Sequence, residues 1–195
     1  MITFADPSRD RVDAFLGNQQ GRSFSYSGIG RSAADAAPRD YDLDHNRMCI
    51  GHGEADFEAA VAAVCAWVMF PAPWTRIVPG NAPIEEGYVV AMIARVYGLW
   101  WVNACRIVYV VDARAPVRRF GFAYGTLPAH VESGEERFIV ELLANGEVWY
   151  DVRAFSRPRH WLVRLFKPLA RKLQMRFVRE SQQAMLLAVD AARLQ

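Results

Sequence analysis

The most constraining feature of the sequence is an apolar run from Leu99 to Asp112, which reads Leu-Trp-Trp-Val-Asn-Ala-Cys-Arg-Ile-Val-Tyr-Val-Val-Asp. β-branched and aromatic residues of this kind favour strands, because they pack well on a pleated surface. Asn103 and Arg106 interrupt the run, and it is shorter than the ~20 apolar residues that a membrane-spanning helix needs. We therefore predict a long strand near the middle of a sheet, with other strands on both sides of it in sequence.

The length and composition are typical of one globular domain. The chain has 195 residues, of which 52% are hydrophobic and 23% are charged, and its formal net charge is +2. A chain of this length can bury a full core without disulfides or metals. We predict a single domain over residues 1–195, in which an N-terminal helix and an irregular segment occupy residues 1–40 and the core occupies residues 41–195.

The cysteines and the N-terminus favour a soluble protein of the cytoplasm. Cys49, Cys65 and Cys105 are odd in number and widely spaced, which predicts three reduced, buried thiols. The first residues lack the basic and apolar regions of a signal peptide, and no apolar run reaches the length of a membrane span.

The N-terminal part contains one short helix. Ser8 is a helix-capping residue, the apolar residues Val12, Phe15 and Leu16 follow on one face, and Gly17 ends the pattern. The next residues are rich in Gly, Ser and Ala, and residues 28–30 indicate a turn rather than a nucleotide-binding loop.

A strand over residues 43–50 and a helix come next. Acidic residues at 54, 56 and 58 favour the N-terminal end of that helix, because they complement its dipole. Its apolar residues form one stripe with helical spacing: Phe57, Val61, Val64, Cys65 and Val68. After two prolines, six strands are predicted, over residues 74–78, 87–95, 99–112, 118–126, 136–143 and 147–155.

The dipeptide Asn145-Gly146 predicts a hairpin between the last two strands. It is the preferred pair for a two-residue type I′ turn, because both residues accept positive φ. That turn pairs Leu143 with Val148, Glu141 with Tyr150 and Ile139 with Val152, and it leaves both faces of the hairpin mixed in polarity.

The chain after Pro158 has a helical period to its end. Pro168 is expected to kink this helix or to divide a short first piece from a long second one. The apolar stripe consists of Leu162, Leu165, Phe166, Leu169, Leu173, Phe177, Ala184, Ala188 and Ala191.

The order strand, helix, six strands, helix predicts an α+β fold. Short connections between the strands indicate an antiparallel meander, and a curved sheet of about seven strands would be covered by the long C-terminal helix. One face of the strand over 118–126 carries only Gly121, Ala123 and Gly125, so that either close packing or a hollow is expected there.

Several motifs resemble an uncharacterised family of unknown function found in bacteria and plants. The resemblance runs from about Phe24 to Met185. It is carried by Gly51-His-Gly-Glu54, Gly98-Leu-Trp-Trp-Val-Asn-Ala-Cys-Arg106, Phe120-Gly-Phe-Ala-Tyr-Gly-Thr126, Ser133-Gly-Glu-Glu-Arg-Phe138 and Phe155-Ser-Arg-Pro158. The layout also resembles the helix-grip fold of the START and Bet v 1-like (SRPBCC) superfamily. This resemblance implies a cavity beneath the terminal helix that binds lipids or other small apolar molecules.

An alternative architecture is a closed barrel with the C-terminal helix inside it, as in tubby-like proteins. The many Arg and Lys residues of that helix argue against enclosure on all sides, because buried charges are costly.

Arg106 and His52 are two candidate ligand-binding residues. Arg106 lies in an apolar strand, so it must reach a carboxylate, a bound anion or solvent, and Glu135, Glu136 and Glu141 are its predicted partners. His52 lies between two glycines, where it is either a base or anion contact or a turn residue without a chemical role.

The other candidates are polar residues expected in an apolar pocket. Asn103, Tyr124 and Tyr150 could contact a ligand or bond only to the backbone, and Glu136 could contact a ligand or pair with Arg106. The four histidines are far apart and no cysteine pair accompanies them, so we predict no metal and no cofactor. No catalytic constellation emerges from the sequence.

The segment from Arg153 to Arg179 contains nine basic residues and no acidic one. It indicates either a contact with an anionic membrane surface or a solvated basic face, and no nucleic acid is expected. Three functions remain open: a binding protein for a small hydrophobic or amphipathic molecule, an enzyme that uses the same cavity through Arg106, Glu136 or His52, and a membrane- or partner-docking protein.

Overall fold

The computed structural model describes residues 1–34 and 38–194, in which one antiparallel sheet of eight strands carries helices on both of its faces. Residues 35–37, which belong to the predicted irregular segment, and residue 195 lie outside the described residues. The strands are β1 (Ile2–Thr3), β2 (Asp42–His52), β3 (Thr75–Val78), β4 (Val89–Val96), β5 (Leu99–Ala113), β6 (Arg118–Thr126), β7 (Glu132–Leu142) and β8 (Glu147–Pro158). The helices are α1 (Arg9–Gly17), α2 (Glu54–Cys65), α3 (Trp161–Leu165) and α4 (Lys167–Ala192), and a 3₁₀ helix spans Arg31–Ala33.

The strand order is β2-β8-β7-β6-β5-β4-β3, and β1 pairs with β5. β2 and β3 end this order and no ladder joins them in the described part of the chain, so the sheet is open and the closed-barrel alternative is wrong. The predicted architecture, a curved antiparallel sheet with a long C-terminal helix on it, is confirmed. β5 pairs with three other strands, as expected of the apolar run over residues 99–112.

The concave face of the sheet forms the main core with α2 and α4. Phe122, Phe138 and Tyr150 from the strands pack there with Val64 of α2 and Met185 of α4. Burial of these side chains is the main force that holds the helices on the sheet.

The C-terminal helix is divided, as predicted, next to Pro168. α3 ends at Leu165 and α4 begins at Lys167, so that the proline occupies the first turn of α4, where its missing N–H group is no loss. The buried face differs from the predicted stripe. Its fully buried positions are Ser181, Met185 and Val189, whereas Leu165, Phe166 and Ala191 are exposed.

The prediction of three buried thiols is wrong for two of them. Cys105 is buried in the core, but Cys49 and Cys65 are exposed. Cys49 precedes a bulge in the edge strand β2, and Cys65 is the last residue of α2, whose buried face is formed by Phe57, Ala60 and Val64.

The hairpin between β7 and β8 forms, but its predicted register is wrong by one residue. Leu142 pairs with Val148, Val140 with Tyr150 and Phe138 with Val152. Gly146 has a φ of +87° and Asn145 has no positive φ, so the loop is a turn with one more residue than the type I′ turn. A one-residue shift moves every side chain to the opposite face.

This shift brings the apolar residues Phe138, Val140, Tyr150 and Val152 together on the concave face. Ile139 and Phe155 of the same strands lie on the convex face. Arg137, Glu141 and Asp151 lie together on the convex face, where Asp151 binds Arg137 at 2.7 Å and Glu141 binds Arg47 at 2.7 Å.

The convex face is covered by the N-terminal part of the chain. Val12 of α1, in the helix predicted after Ser8, packs against Ile93 and Val102. The segment after α1 is tied down by polar contacts: the Ser25 N–H donates to the carbonyl of Thr126 at 2.9 Å, and the Ser133 hydroxyl donates to the carbonyl of Ser25 at 2.8 Å.

Candidate functional site

A cavity of about 460 Å³ lies between the concave face of the sheet and the helices α3 and α4. Its volume is in the usual range for small-molecule sites. Most of its wall is apolar. The apolar residues that line it include Phe70, Met92, Leu99, Tyr124, Val152, Ala154, Leu162, Leu169, Leu173 and Phe177.

The residues that line the cavity follow the ordinary side-chain periodicities of the strands and of the helix. Tyr124, Glu136 and Val152 point to the same side because alternate residues of paired strands share a face. Leu169, Leu173 and Phe177 recur at four-residue spacing on α4 and form the opposite wall, as the predicted stripe required.

The main polar feature of the cavity is the pair of Tyr124 and Glu136. The Tyr124 hydroxyl donates a hydrogen bond of 2.9 Å to Oε2 of Glu136, and the register places the two residues directly opposite each other. The pKa of Glu136 is raised to about 7, mainly because the side chain is buried and also because the carboxylates of Glu132 and Asp44 are nearby; the hydrogen bond from Tyr124 opposes this rise. Glu136 therefore exchanges its proton near neutral pH.

Two more carboxylates line the same wall. Glu132 accepts a hydrogen bond of 2.8 Å from the Nε2 amide of Gln174 on α4, and burial raises its pKa. Asp44 of β2 is paired with Arg171 on α4 through both guanidinium Nη atoms. This ion pair also fixes α4 against the edge of the sheet.

His130 and Asn103 also contribute polar atoms to the lining. Burial lowers the pKa of His130 to about 3, so its imidazole is neutral at physiological pH, and its Nδ1 accepts a hydrogen bond of 2.9 Å from the N–H of Glu132. Asn103 accepts one of 3.2 Å from the N–H of Val131 through Oδ1. The described residues contain no group of three or more His, Cys, Asp and Glu side chains that could hold a metal ion.

The structure brings together three of the six predicted ligand-binding residues: Asn103, Tyr124 and Glu136 all line the cavity. Arg106, Tyr150 and His52 are absent from its described lining. Of the residues considered for acid–base or anion-holding roles, only Glu136 borders the cavity. For Arg106, Tyr150 and His52, ligand binding stays a prediction.

Arg106 lies on the convex face, and its predicted ion pair is wrong. No carboxylate pairs with it in the described part of the chain. Its guanidinium lies 5.4 Å from the centre of the Phe24 ring, and Nη2 is 3.4 Å from the carbonyl oxygen of Gln19. Strand alternation explains this, because Asn103 and Arg106 differ by an odd number of positions and so point to opposite faces.

Tyr150 and His52 occupy two other places. Tyr150 is fully buried in the core, and its hydroxyl lies 2.9 Å from Oγ of Ser181 on α4. His52 is exposed at the end of β2, and its Nε2 lies 3.1 Å from the carbonyl oxygen of Asn145 in the hairpin turn.

The bare face of β6 is on the convex side and does not form the cavity. A Cβ atom on Gly125 would collide with the Tyr26 hydroxyl oxygen, so the missing side chain allows Tyr26 to pack on the strand. Close packing is therefore the outcome at Gly125, and the hollow lies on the side of Tyr124.

Sequence reasoning missed Glu132, His130 and Gln174 as lining residues. β7 begins at Glu132, four residues before the predicted start of the strand, so the position of Glu132 on the face of Glu136 was not recognised. The even spacing from 132 to 138 was the available signal, but Gly134 and the charged residues around it weakened it.

Exposed apolar side chains lie in the lining of the cavity and next to it in sequence. Tyr97 and Phe166 both line the cavity and are 72% and 53% exposed, and Trp161 and Leu165 of α3 are 65% and 66% exposed. No helix among the described residues is long and apolar enough to cross a bilayer.

An open antiparallel sheet that grips a long C-terminal helix above a mostly apolar cavity defines this protein as a helix-grip protein. Within that class, the chain belongs to the family described as Domain of unknown function (DUF1990), which matches residues 25–184. This confirms the uncharacterised family indicated by the motifs.

Two relatives show how far the similarity extends. The UPF0548 protein of Dictyostelium discoideum is 32% identical to this chain, and the match covers 98% of this chain and 97% of the relative. The UPF0548 protein of Arabidopsis thaliana is 31% identical over 86% of each chain.

Among solved structures, the hypothetical protein jhp0584 from Helicobacter pylori is similar in fold, with a TM-score of 0.51 and 12% sequence identity. The match covers 77% of this chain and 86% of that chain. At this identity the similarity concerns the fold alone.

Proposed function

We propose that this protein binds a small hydrophobic or amphipathic molecule in the cavity between the sheet and the helices α3 and α4. The observation that supports this proposal is the cavity itself. Its volume of about 460 Å³, its apolar walls and the few polar groups that converge on Tyr124 and Glu136 match the usual composition of ligand sites.

The arrangement suits binding because a small number of polar groups interrupt an otherwise apolar wall. An apolar body gains free energy when it leaves water for such a wall, by roughly 25 cal/mol per Å² of buried apolar surface. The polar groups then select the orientation of the ligand and its chemical class.

Binding can be tested with N-phenyl-1-naphthylamine, a neutral dye whose emission rises in apolar surroundings. We expect saturable binding of one dye per protein. The variants Ala154→Phe on β8 and Ala170→Phe on α4 fill the cavity from opposite walls and should abolish the signal. Ala66→Phe adds the same ring at an exposed position outside the described lining and should leave binding intact.

The melting temperature of each variant separates a filled cavity from a damaged fold. The proposal fails if the wild-type protein does not bind the dye, or if folded Ala154→Phe and Ala170→Phe proteins bind it as well as Ala66→Phe does.

A second candidate function is contact with an anionic membrane surface next to the cavity. Trp161 and Leu165 are exposed, and Arg164 lies between them on α3. Arg164 and Lys172 have no carboxylate within ion-pair distance among the described residues. Aromatic and apolar side chains flanked by free cations are typical of interfacial helices.

Several other basic residues of the segment 153–179 are paired within the protein. The candidate membrane-binding surface is therefore restricted to α3 and the residues next to it. Arg171 pairs with Asp44, Lys167 lies 3.1 Å from Asp42, and Arg176 lies 2.7 Å from Glu180. These pairs leave fewer charges for a partner than the sequence alone indicates.

Sedimentation with vesicles tests this candidate. We expect binding to vesicles of equimolar phosphatidylcholine and phosphatidylglycerol at low salt, and loss of binding for Trp161→Ala combined with Leu165→Ala. Leu187→Ala removes a similarly exposed leucine from α4 and should have no effect. Absence of wild-type protein from the vesicle pellet would exclude a membrane role.

A further inference from the structure

We infer that the molecule held in the cavity carries a positive charge, as an aliphatic amine or another protonated nitrogen base, joined to an apolar body. This inference rests on the proposed function and adds the chemistry of the ligand's polar end. It follows from the charges that face the cavity and from their partners in the fold.

The charged residues that line the cavity are all acidic. Asp44, Glu132, Glu135 and Glu136 contribute to the lining, and no Lys or Arg occurs in it among the described residues. His130 is the remaining basic side chain, and it is neutral at physiological pH because burial lowers its pKa to about 3.

Two of the four carboxylates are already satisfied by the fold. Asp44 is paired with the guanidinium of Arg171. Glu135 points to the convex side, where it accepts hydrogen bonds from the Tyr26 hydroxyl at 2.6 Å and from the N–H of Gly30 at 2.8 Å. Neither of them needs a ligand.

Glu132 and Glu136 have no cation within ion-pair distance in the described part of the chain. Glu132 accepts from the neutral amide of Gln174, and Glu136 accepts from the Tyr124 hydroxyl through Oε2. The second oxygen of Glu136 has no hydrogen-bond donor among the described residues, and this half-buried side chain borders the cavity.

An ionised carboxylate in such a place is costly unless a cation or several donors accompany it. The fold supplies one donor to Glu136 and leaves the side facing the cavity free. A ligand ammonium group would supply both the missing charge and the missing donors. A ligand carboxylate would instead add a third negative charge and would be repelled.

The cation is expected to bind the ionised form of Glu136, so the affinity should depend on pH. The titratable groups around Glu136 are Tyr124 and Cys105 on β6 and β5, Tyr150 on β8, Glu132 on its own strand, and Asp44 on β2. The charged residue contributed by α4 at this place is Arg171, which is paired with Asp44. The tyrosines and the buried thiol stay neutral near pH 7, because burial raises their pKa values.

The test compares three probes of equal chain length by isothermal titration calorimetry: dodecylamine, dodecan-1-ol and dodecanoic acid. At pH 8 we expect the amine to bind at least about tenfold more tightly than the acid, with the alcohol between them. Glu136→Gln should weaken amine binding by about tenfold and leave alcohol binding unchanged. Glu141→Gln makes the same change on the convex face of the same strand and should leave both unchanged.

The pH dependence gives a second readout. Amine binding by the wild-type protein should weaken between pH 8 and pH 6, as Glu136 takes up its proton, and alcohol binding should not change. In Glu136→Gln most of the pH dependence should disappear.

The outcomes separate this inference from the proposed function. If none of the three probes binds, both the proposed function and the inference of a positively charged ligand fail. If the alcohol or the acid binds at least as tightly as the amine, or if Glu136→Gln leaves amine binding intact in a folded protein, the cavity is a ligand site but the positive charge is refuted.

Discussion

Glu135 and Glu136 are neighbours in the sequence, but they lie on opposite faces of β7 and differ in almost every physical respect. Glu135 is 2% exposed and accepts hydrogen bonds from the Tyr26 hydroxyl, the Ser32 hydroxyl and the N–H groups of Gly30 and Ser32. Glu136 accepts one hydrogen bond, from Tyr124, and borders a cavity.

The difference shows what each face of the sheet does. On the convex face, the carboxylate of Glu135 is saturated by donors from the N-terminal segment, so it fastens that segment to the sheet. On the concave face, Glu136 keeps an acceptor free and has a raised pKa. A half-buried carboxyl oxygen that borders a cavity and has no donor within the fold is a candidate for ligand contact.

The largest expected effect is loss of stability on changing Glu135. Glu135→Gln places an amide among donors that need an acceptor, so at least one of them loses its bond. We expect the free energy of unfolding to fall by about 3 kcal/mol, measured by urea denaturation. Glu141→Gln, which loses only partly exposed ion pairs with Arg47 and Arg119, should cost about 1 kcal/mol or less. Equal losses for the two variants would refute the anchoring role of Glu135.

The same substitution at the next residue, Glu136→Gln, should raise the free energy of unfolding instead of lowering it. The pKa of Glu136 is raised to about 7 in the folded protein. Above that pH, ionisation of Glu136 therefore lowers the free energy of unfolding, because the charge is less favourable in the folded state than in the unfolded chain. Glu136→Gln should therefore stabilise the protein by about 2 to 3 kcal/mol at pH 8.

This gain should shrink as the pH falls. Below pH 7 the folded protein binds a proton at Glu136 and no longer carries the charge, so at pH 5 the gain should be less than about 1 kcal/mol. Urea denaturation at both pH values measures it. A gain that does not depend on pH would show that the charge of Glu136 is not its source.

The smallest expected effects concern the tyrosines that bind the two carboxylates. Tyr26→Phe removes a donor from Glu135, which water does not reach, and should cost about 1.5 kcal/mol. Tyr124→Phe should cost less than about 1 kcal/mol, because the cavity has room for a water molecule to replace the hydroxyl. If Tyr124→Phe is more destabilising than Tyr26→Phe in urea denaturation, the proposed difference between Glu135 and Glu136 is contradicted.

Much of the fold follows from local patterns in the sequence. The apolar run at Leu99 predicts the longest strand, and Pro168 predicts the division between α3 and α4. These features depend on neighbours in the chain, so propensity and periodicity are sufficient to predict them.

The errors occur where one residue or a distant contact decides the structure. One extra loop residue before Gly146 changes the register of the whole hairpin, and local sequence does not distinguish the two turns. The irregular N-terminal segment is ordered by Glu135, more than a hundred residues away from Ser32, and no pattern within the segment indicates that partner.

The site was predicted in part for the same reason. Asn103 and Tyr124 were found because polar residues in apolar strands are unusual and indicate a special environment. Glu136 was found as a predicted partner of Arg106. The same rule also selected Arg106, which points to the other face, because polarity alone does not reveal the face of a strand that is buried on both sides.

The central claim is that Glu136 has a carboxyl oxygen without a hydrogen-bond donor and that this oxygen borders a ligand cavity. Titration of Glu136 tests this claim most directly. The side-chain carboxyl carbon of Glu136 can be followed by ¹³C NMR and assigned with Glu136→Gln. We expect a titration midpoint near pH 7 that moves to lower pH when dodecylamine is added, because a bound cation favours the ionised carboxylate. A midpoint near that of an ordinary glutamate, unchanged by dodecylamine, would contradict the account.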